Sequence, residues 1–130
     1  MLCWALGADS VATQRGDSFV IGQGGHLWIV ISDPSQHNGE YIIVNLTTDE
    51  FRAGKDCEVN PGEHQWITDK CFVSFGDARK VTSAEDAQIA AHMATKAIRK
   101  QFPVTGALLK KILTAAKKSK AIPPAFVSYL

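Results

Sequence analysis

The sequence has no long hydrophobic run. Its strongly apolar stretches do not exceed Leu27–Ile31, far short of the ~20 residues that a membrane-spanning helix needs. The N-terminus has neither the basic start nor the extended apolar stretch of a secretory signal peptide, so a cytoplasmic chain with no membrane contact is expected. Cysteine is scarce. Cys3, Cys57 and Cys71 are odd in number and have no C-x-x-C spacing, which argues against a disulfide framework and fits reduced thiols. Nor do they form the closely spaced ligand pairs typical of a zinc site, and no metal or other cofactor is expected. Generic catalytic signatures are missing too: there is no P-loop, no G-x-S-x-G, no H-E-x-x-H and no G-x-G-x-x-G that opens a helix.

Acidic residues are absent after Asp86. Residues 1–86 carry six basic and thirteen acidic side chains, a net −7, and residues 87–130 carry eight basic and no acidic ones, a net +8. Such a split provides two electrostatic faces, or a basic segment that docks on acidic groups of its own or a sister chain. At 130 residues, with 45% apolar and 21% charged side chains, the composition is that of one globular domain spanning 1–130.

Two regimes meet near Val81–Ser83. Before them lie short runs rich in β-branched and aromatic residues, Ser18–Ile21, Leu27–Ser32, Tyr41–Leu46 and Cys71–Phe75, with Gln65–Thr68 as a weaker fifth strand. Glycines 22, 24 and 25 form a tight turn, Asp33–Gly39 a polar loop, and Asn60-Pro61-Gly62 a β-turn. After them, Ser83 is placed to cap a helix that carries Ile89, Met93, Ala97 and Ile98 at helical spacing until Pro103. Thr105 is placed to cap a second, whose stripe is Leu108, Leu109, Ile112, Leu113 and Ala116. The apolar tail Ala125–Leu130 must pack on the sheet or on a partner, and Trp4 and Leu6 suggest that part of the first fifteen residues packs as well. The fold class expected is α+β: a small antiparallel β-barrel over residues 1–82, followed by a basic extension of two helices over 83–130.

The polar residues that stand out lie at strand ends, where side chains from different segments converge. They are His26, Ser32, Asn45, Thr47, Thr48, His64, Asp77, Arg79 and Lys80. A histidine at a strand entry can simply bond a backbone carbonyl, and Asp77 and Arg79, two apart, can simply pair at the surface. Together, however, a histidine that exchanges protons near neutrality, an arginine that grips phosphate, and orienting hydroxyls and amides are the parts needed to cleave RNA without a metal.

The stretch GDSFVIGQGGHLWIVISDP (Gly16–Pro34), followed by YIIVNLTTDEF and CFVSFGDARKV, resembles the PemK/MazF/Kid type of toxin of type II toxin–antitoxin systems. The resemblance covers residues 16–80. The Arg-Pro that usually precedes the second strand is His26-Leu27 here, and the helical extension is longer. It implies an SH3-like barrel, a homodimer, and a metal-independent endoribonuclease restrained by a cognate antitoxin. By that resemblance His26, Asp77 and Arg79 are expected to be catalytic. His64 has no family counterpart and is included because a closed sheet would carry its loop towards Asp77. Ser32, Asn45, Thr47, Thr48 and Lys80 are expected to contact RNA. The alternatives are a non-catalytic module that grips nucleic acid or a protein through its basic segment, and a poison of a protein target such as a topoisomerase.

Overall fold

The computed structural model describes residues 12–22 and 25–130. The expectations placed on Cys3, on Trp4 and Leu6, and on the Gln23-Gly24 part of the first turn lie outside these residues. Six strands are described: β1 (Ser18–Ile21), β2 (Leu27–Val30), β3 (Tyr41–Thr47), β4 (Glu58–Val59), β5 (Cys71–Val81) and β6 (Ile98–Gln101). With them come three helices, α1 (Glu50–Ala53), α2 (Ser83–Ala94) and α3 (Gly106–Lys118), and 3-10 turns at Pro34–Gln36 and Pro124–Tyr129.

The strands form one curled antiparallel half-barrel in the order β4-β5-β3-β2-β1-β6. Strand β3 lies inside it, and all seven of its residues are buried, which is why Tyr41–Thr47 reads as nearly continuous apolar sequence rather than as an alternation. One face of the sheet carries Val20, Leu27, Ile29, Val44 and Val73. They pack against Leu108, Ile112 and Ala116 of α3 and against Ile122, with Phe126, Tyr129 and Leu130 of the tail at the edge of the cluster. The tail therefore packs on its own chain, and Tyr129 donates its hydroxyl to Glu40 at 3.1 Å. The other face carries Phe19, Val30, Tyr41, Ile43, Val81 and Ile98, on which Ile89 and Met93 of α2 rest.

Several elements differ from the sequence reading: β5 runs on past Phe75 to Val81, and the short helix α1 is not expected from the sequence. The helix expected to run to Pro103 ends at Ala94, and the chain turns through Thr95 and Lys96, whose φ of 65° is left-handed. Residues 98–101 then pair with β1 as strand β6. Ala97 and Ile98 fit a helical stripe as well as a strand, and what decides between them is the unpaired edge of β1, whose backbone groups need partners. The cap of α2 is Thr82 rather than Ser83. Thr82 accepts from the Glu85 amide at 3.2 Å, and Glu85 accepts from the Thr82 amide at 3.0 Å, a reciprocal capping box. Finally, Gln65–Thr68 is not a strand. The short edge strand is Glu58–Val59, while the buried Ile67 closes a turn onto the His64 carbonyl at 3.0 Å. The cap expected at Thr105 is present, with its hydroxyl accepting from the Leu108 amide at 3.1 Å.

The register of β5 against β3 slips. Ser74 faces Asn45, yet Arg79 faces Ile43, so two steps along β3 are matched by five along β5. The extra residues form a bulge that re-aims the strand, and Gly76 and Asp77 lie within it.

Candidate functional site

Among the described residues, α2 covers only part of its side of the sheet. Beyond it the register lines up Phe19, Trp28, Asn45 and Ser74 as cross-strand neighbours. His26 enters β2 next to this row. Polar groups gather here because Asn45 and Ser74 each interrupt an apolar strand, YIIVNLT and CFVSF, at positions that face one another.

The bulge turns Asp77 back towards this row. Its Oδ2 accepts from the Ser74 hydroxyl at 2.7 Å and from Arg52 Nε at 3.2 Å. The Ser74 hydrogen bond, followed by Arg52 and the proximity of His26, holds the Asp77 carboxyl below the usual carboxylate range, against a smaller opposing effect of burial. Arg52 is delivered by α1, whose N-cap, Asp49, accepts from the amides of Phe51 and Arg52 at 3.1 and 3.3 Å. Asp77 engages only Nε, and among the described residues neither terminal amino group of the guanidinium makes a hydrogen bond, which leaves N–H donors that can grip a bound anion. Beside it, Phe51 is 95% exposed.

His26 bonds through Nδ1 to the Leu46 carbonyl at 3.0 Å. A carbonyl only accepts, so Nδ1 carries the hydrogen in this bond, and Nε2 of the neutral ring presents a lone pair outward. The plain strand-end role and a chemical role thus fall on different nitrogens of one ring. Asn45 is 96% buried, and its Oδ1 has no hydrogen-bond partner among the described residues. Thr47 is buried, and its hydroxyl accepts from the Asp49 amide at 3.2 Å, which ties the end of β3 to the cap of α1.

The structure therefore brings together His26, Asn45, Thr47 and Asp77 from the sequence reading. It adds Arg52, Ser74 and Phe51, which that reading missed. Arg52 follows a strand end, the same criterion that selected Thr47 and Thr48, and extending that criterion by four residues would have found it.

Other expected site residues lie elsewhere. His64 is not carried towards Asp77. It is buried on the α3 side, where Nε2 donates to the Phe102 carbonyl at 2.7 Å and Nδ1 accepts from the Trp66 amide at 3.0 Å. Ser18 donates to the same carbonyl and lies 3.2 Å from Nε2. Ser32 is buried and accepts from the Ile42 amide at 2.8 Å, where it serves the β2–β3 junction. Thr48 is exposed at the end of β3. Arg79 does not pair with Asp77, whose ionic partner is Arg52; Arg79 faces Ile43 instead, and Lys80 faces Ile42 on the next position of the strand.

No family model matches the sequence, and no curated protein matches it. Among solved structures, one named "Endoribonuclease from Mycobacterial species" superposes with a TM-score of 0.55. The match covers 87% of this chain and 95% of that chain at 20% identity. The likeness is one of fold: a mixed α+β chain with a curled antiparallel sheet.

Proposed function

We propose that the chain is a metal-independent endoribonuclease, the toxin component of a toxin–antitoxin pair, acting on single-stranded RNA in the cytoplasm. The observation that carries this reading is the convergence, on an open part of the sheet, of a histidine with an outward lone pair and an arginine oriented by an ionised aspartate. The fold shared with a structure named as an endoribonuclease supports it, as does the resemblance of residues 16–80 to the PemK/MazF/Kid toxins, with their SH3-like barrel.

In this mechanism Nε2 of His26 takes the proton of a ribose 2′-hydroxyl, and the freed oxygen attacks the adjacent phosphorus. The bond to the 5′-oxygen breaks, and that oxygen takes a proton from solvent. The products are a 2′,3′-cyclic phosphate and a 5′-hydroxyl. Arg52 faces the phosphorane with its two terminal amino groups and stabilises the charge that develops there. Asp77 is a positioning residue: it fixes Nε of Arg52. Phe51 offers an exposed ring on which a base can stack. In the same reading a homodimer forms, and a cognate antitoxin protein restrains the activity.

Expression without a partner protein is expected to arrest growth, and His26→Ala or Arg52→Ala to relieve the arrest at equal protein levels. Harmless wild-type protein that accumulates in folded form would contradict the proposal.

A further inference from the structure

The face that holds His26 and Asp77 also holds a groove of about 340 Å³ between α2 and β5. It is lined by Ile21, Ile43 and Ile89, by Arg79 of β5, and by Gln88 and His92 of α2. Gln88 and His92 are one helical turn apart, so they present their polar ends side by side. Among the described residues, the side chains of Arg79, Gln88 and His92 make no hydrogen bond or ion pair with one another or with a neighbour. Glu85, at the end of the groove, is committed to capping α2 through the Thr82 amide. The groove thus combines partly exposed apolar side chains, Ile21 and Ile89, an amide that both donates and accepts, an imidazole, and an uncommitted guanidinium.

Its position is as informative as its lining. Ile43 lies two residues along β3 from Asn45, and Arg79 two residues along β5 from Asp77. On the regular strand β3 two residues span about 7 Å, a step comparable to the length of one extended nucleotide, while Asp77 sits in the bulge of β5. We infer that this groove holds the nucleotide next to the scissile phosphate, with its base against Ile21 and Ile89, its base edge on Gln88 and His92, and its phosphate on Arg79. Each part of a nucleotide meets the chemistry that recognises it. The π-face meets apolar side chains, the Watson–Crick edge meets donors and acceptors, and the phosphate oxygens meet a planar guanidinium. Gln88 and His92 then determine base preference at one position beside the cut, while His26 and Arg52 perform the cut. The inference rests on the ribonuclease reading and adds to it a site for substrate selection.

The test is to map fragment ends from a long mixed-sequence RNA cleaved by wild-type protein, Gln88→Ala and His92→Ala, with Lys117→Ala, on the far helix, as a control. Gln88 and His92 are exposed on α2, so these variants are expected to fold, and circular dichroism checks this. Base preference at a single flanking position should relax by about tenfold in Gln88→Ala or His92→Ala, the weight of one hydrogen bond. The control should keep the wild-type profile. Unchanged profiles in both variants alongside active wild type would overturn the groove assignment and leave the ribonuclease reading standing. Inactive wild type would overturn the ribonuclease reading instead. Titration with a short labelled single-stranded RNA pool would then decide the groove: weaker binding by Gln88→Ala sustains it as a nucleotide site, and equal binding or none removes it.

Discussion

Asp77 ties the stability of the fold to the geometry of the candidate site. Its pKa is lowered chiefly by the Ser74 hydroxyl and next by Arg52. A carboxylate whose folded pKa lies below its unfolded value contributes stability that is present above the unfolded value, about 3.9. That stability is lost as pH falls through the folded value. Asp77→Asn should therefore lose less stability than wild type between about pH 5 and 3, as read by urea midpoints at each pH, and parallel profiles would contradict this. His64 belongs to the opposite face and holds Phe102 in place. His64→Ala is expected to cost about 1–3 kcal/mol, the cost of leaving buried groups without partners, and to leave RNA cleavage by the folded protein within a few fold. A loss of cleavage in a variant whose stability is unchanged would contradict that placement. At this scale the sequence revealed residue types better than residue contacts. His26, Asn45 and Asp77 stood out as polar groups at strand ends, but nothing in a linear sequence shows that a bulge turns Asp77 away from Arg79 and onto Ser74 and Arg52.

The elements were legible where hydrophobic periodicity was unambiguous. Strands β1, β2 and β3 and helix α3 fall where β-branched runs and an apolar stripe place them, and β5 begins where expected. Legibility failed where a segment satisfied two periods at once. Residues 97–101 fit a helix as well as a strand, and pairing with β1, a long-range fact, decided the outcome. Two local devices enforce the break. Thr82 and Glu85 start α2 with a capping box, and Lys96 ends it in a left-handed conformation. A side chain with a Cβ disfavours that conformation and glycine adopts it freely. Lys96→Gly should thus raise stability by about 1 kcal/mol, and Thr82→Ala should lower it by about 1 kcal/mol. Both are read from chemical denaturation, and a sign reversed in either case would contradict the assigned cap. The link from α2 to the sheet is also polar: Asp86 accepts from the Tyr41 hydroxyl at 2.6 Å and from the Thr13 hydroxyl at 2.8 Å. Burial, followed by this neighbouring carboxylate, pushes the Tyr41 phenol well above its ordinary range, so Tyr41 remains a hydrogen-bond donor at neutral pH.

For the molecule as a whole, the architecture explains why a site forms where it does. One face of the sheet is closed by α3, the segment after β4 and the C-terminal tail, and it holds the larger apolar cluster. Among the described residues the other face is crossed by α2, which has no fully buried residue, and beyond that helix lie the buried Asn45 and Ser74 with Asp77 and His26 around them. The charge asymmetry has a partly structural role: Lys111 of the basic segment pairs with Glu63 at 3.0 Å and Ser119 donates to Asp56 at 2.7 Å. The segment therefore docks on acidic groups of its own chain, while Lys110, Lys117 and Lys118 stay exposed on α3.

In the ribonuclease reading, the corner formed by His26, Asp77 and Arg52 cleaves RNA without a metal. Its most direct test is cleavage of a long mixed-sequence RNA in EDTA by purified wild-type protein, His26→Ala and Arg52→Ala, reading fragment ends for 2′,3′-cyclic phosphate. Discrete cyclic-phosphate fragments are expected from wild type, with rates lower by about 10²–10⁴-fold in His26→Ala. RNA left intact by folded wild-type protein, or cut as fast by His26→Ala, would contradict the account.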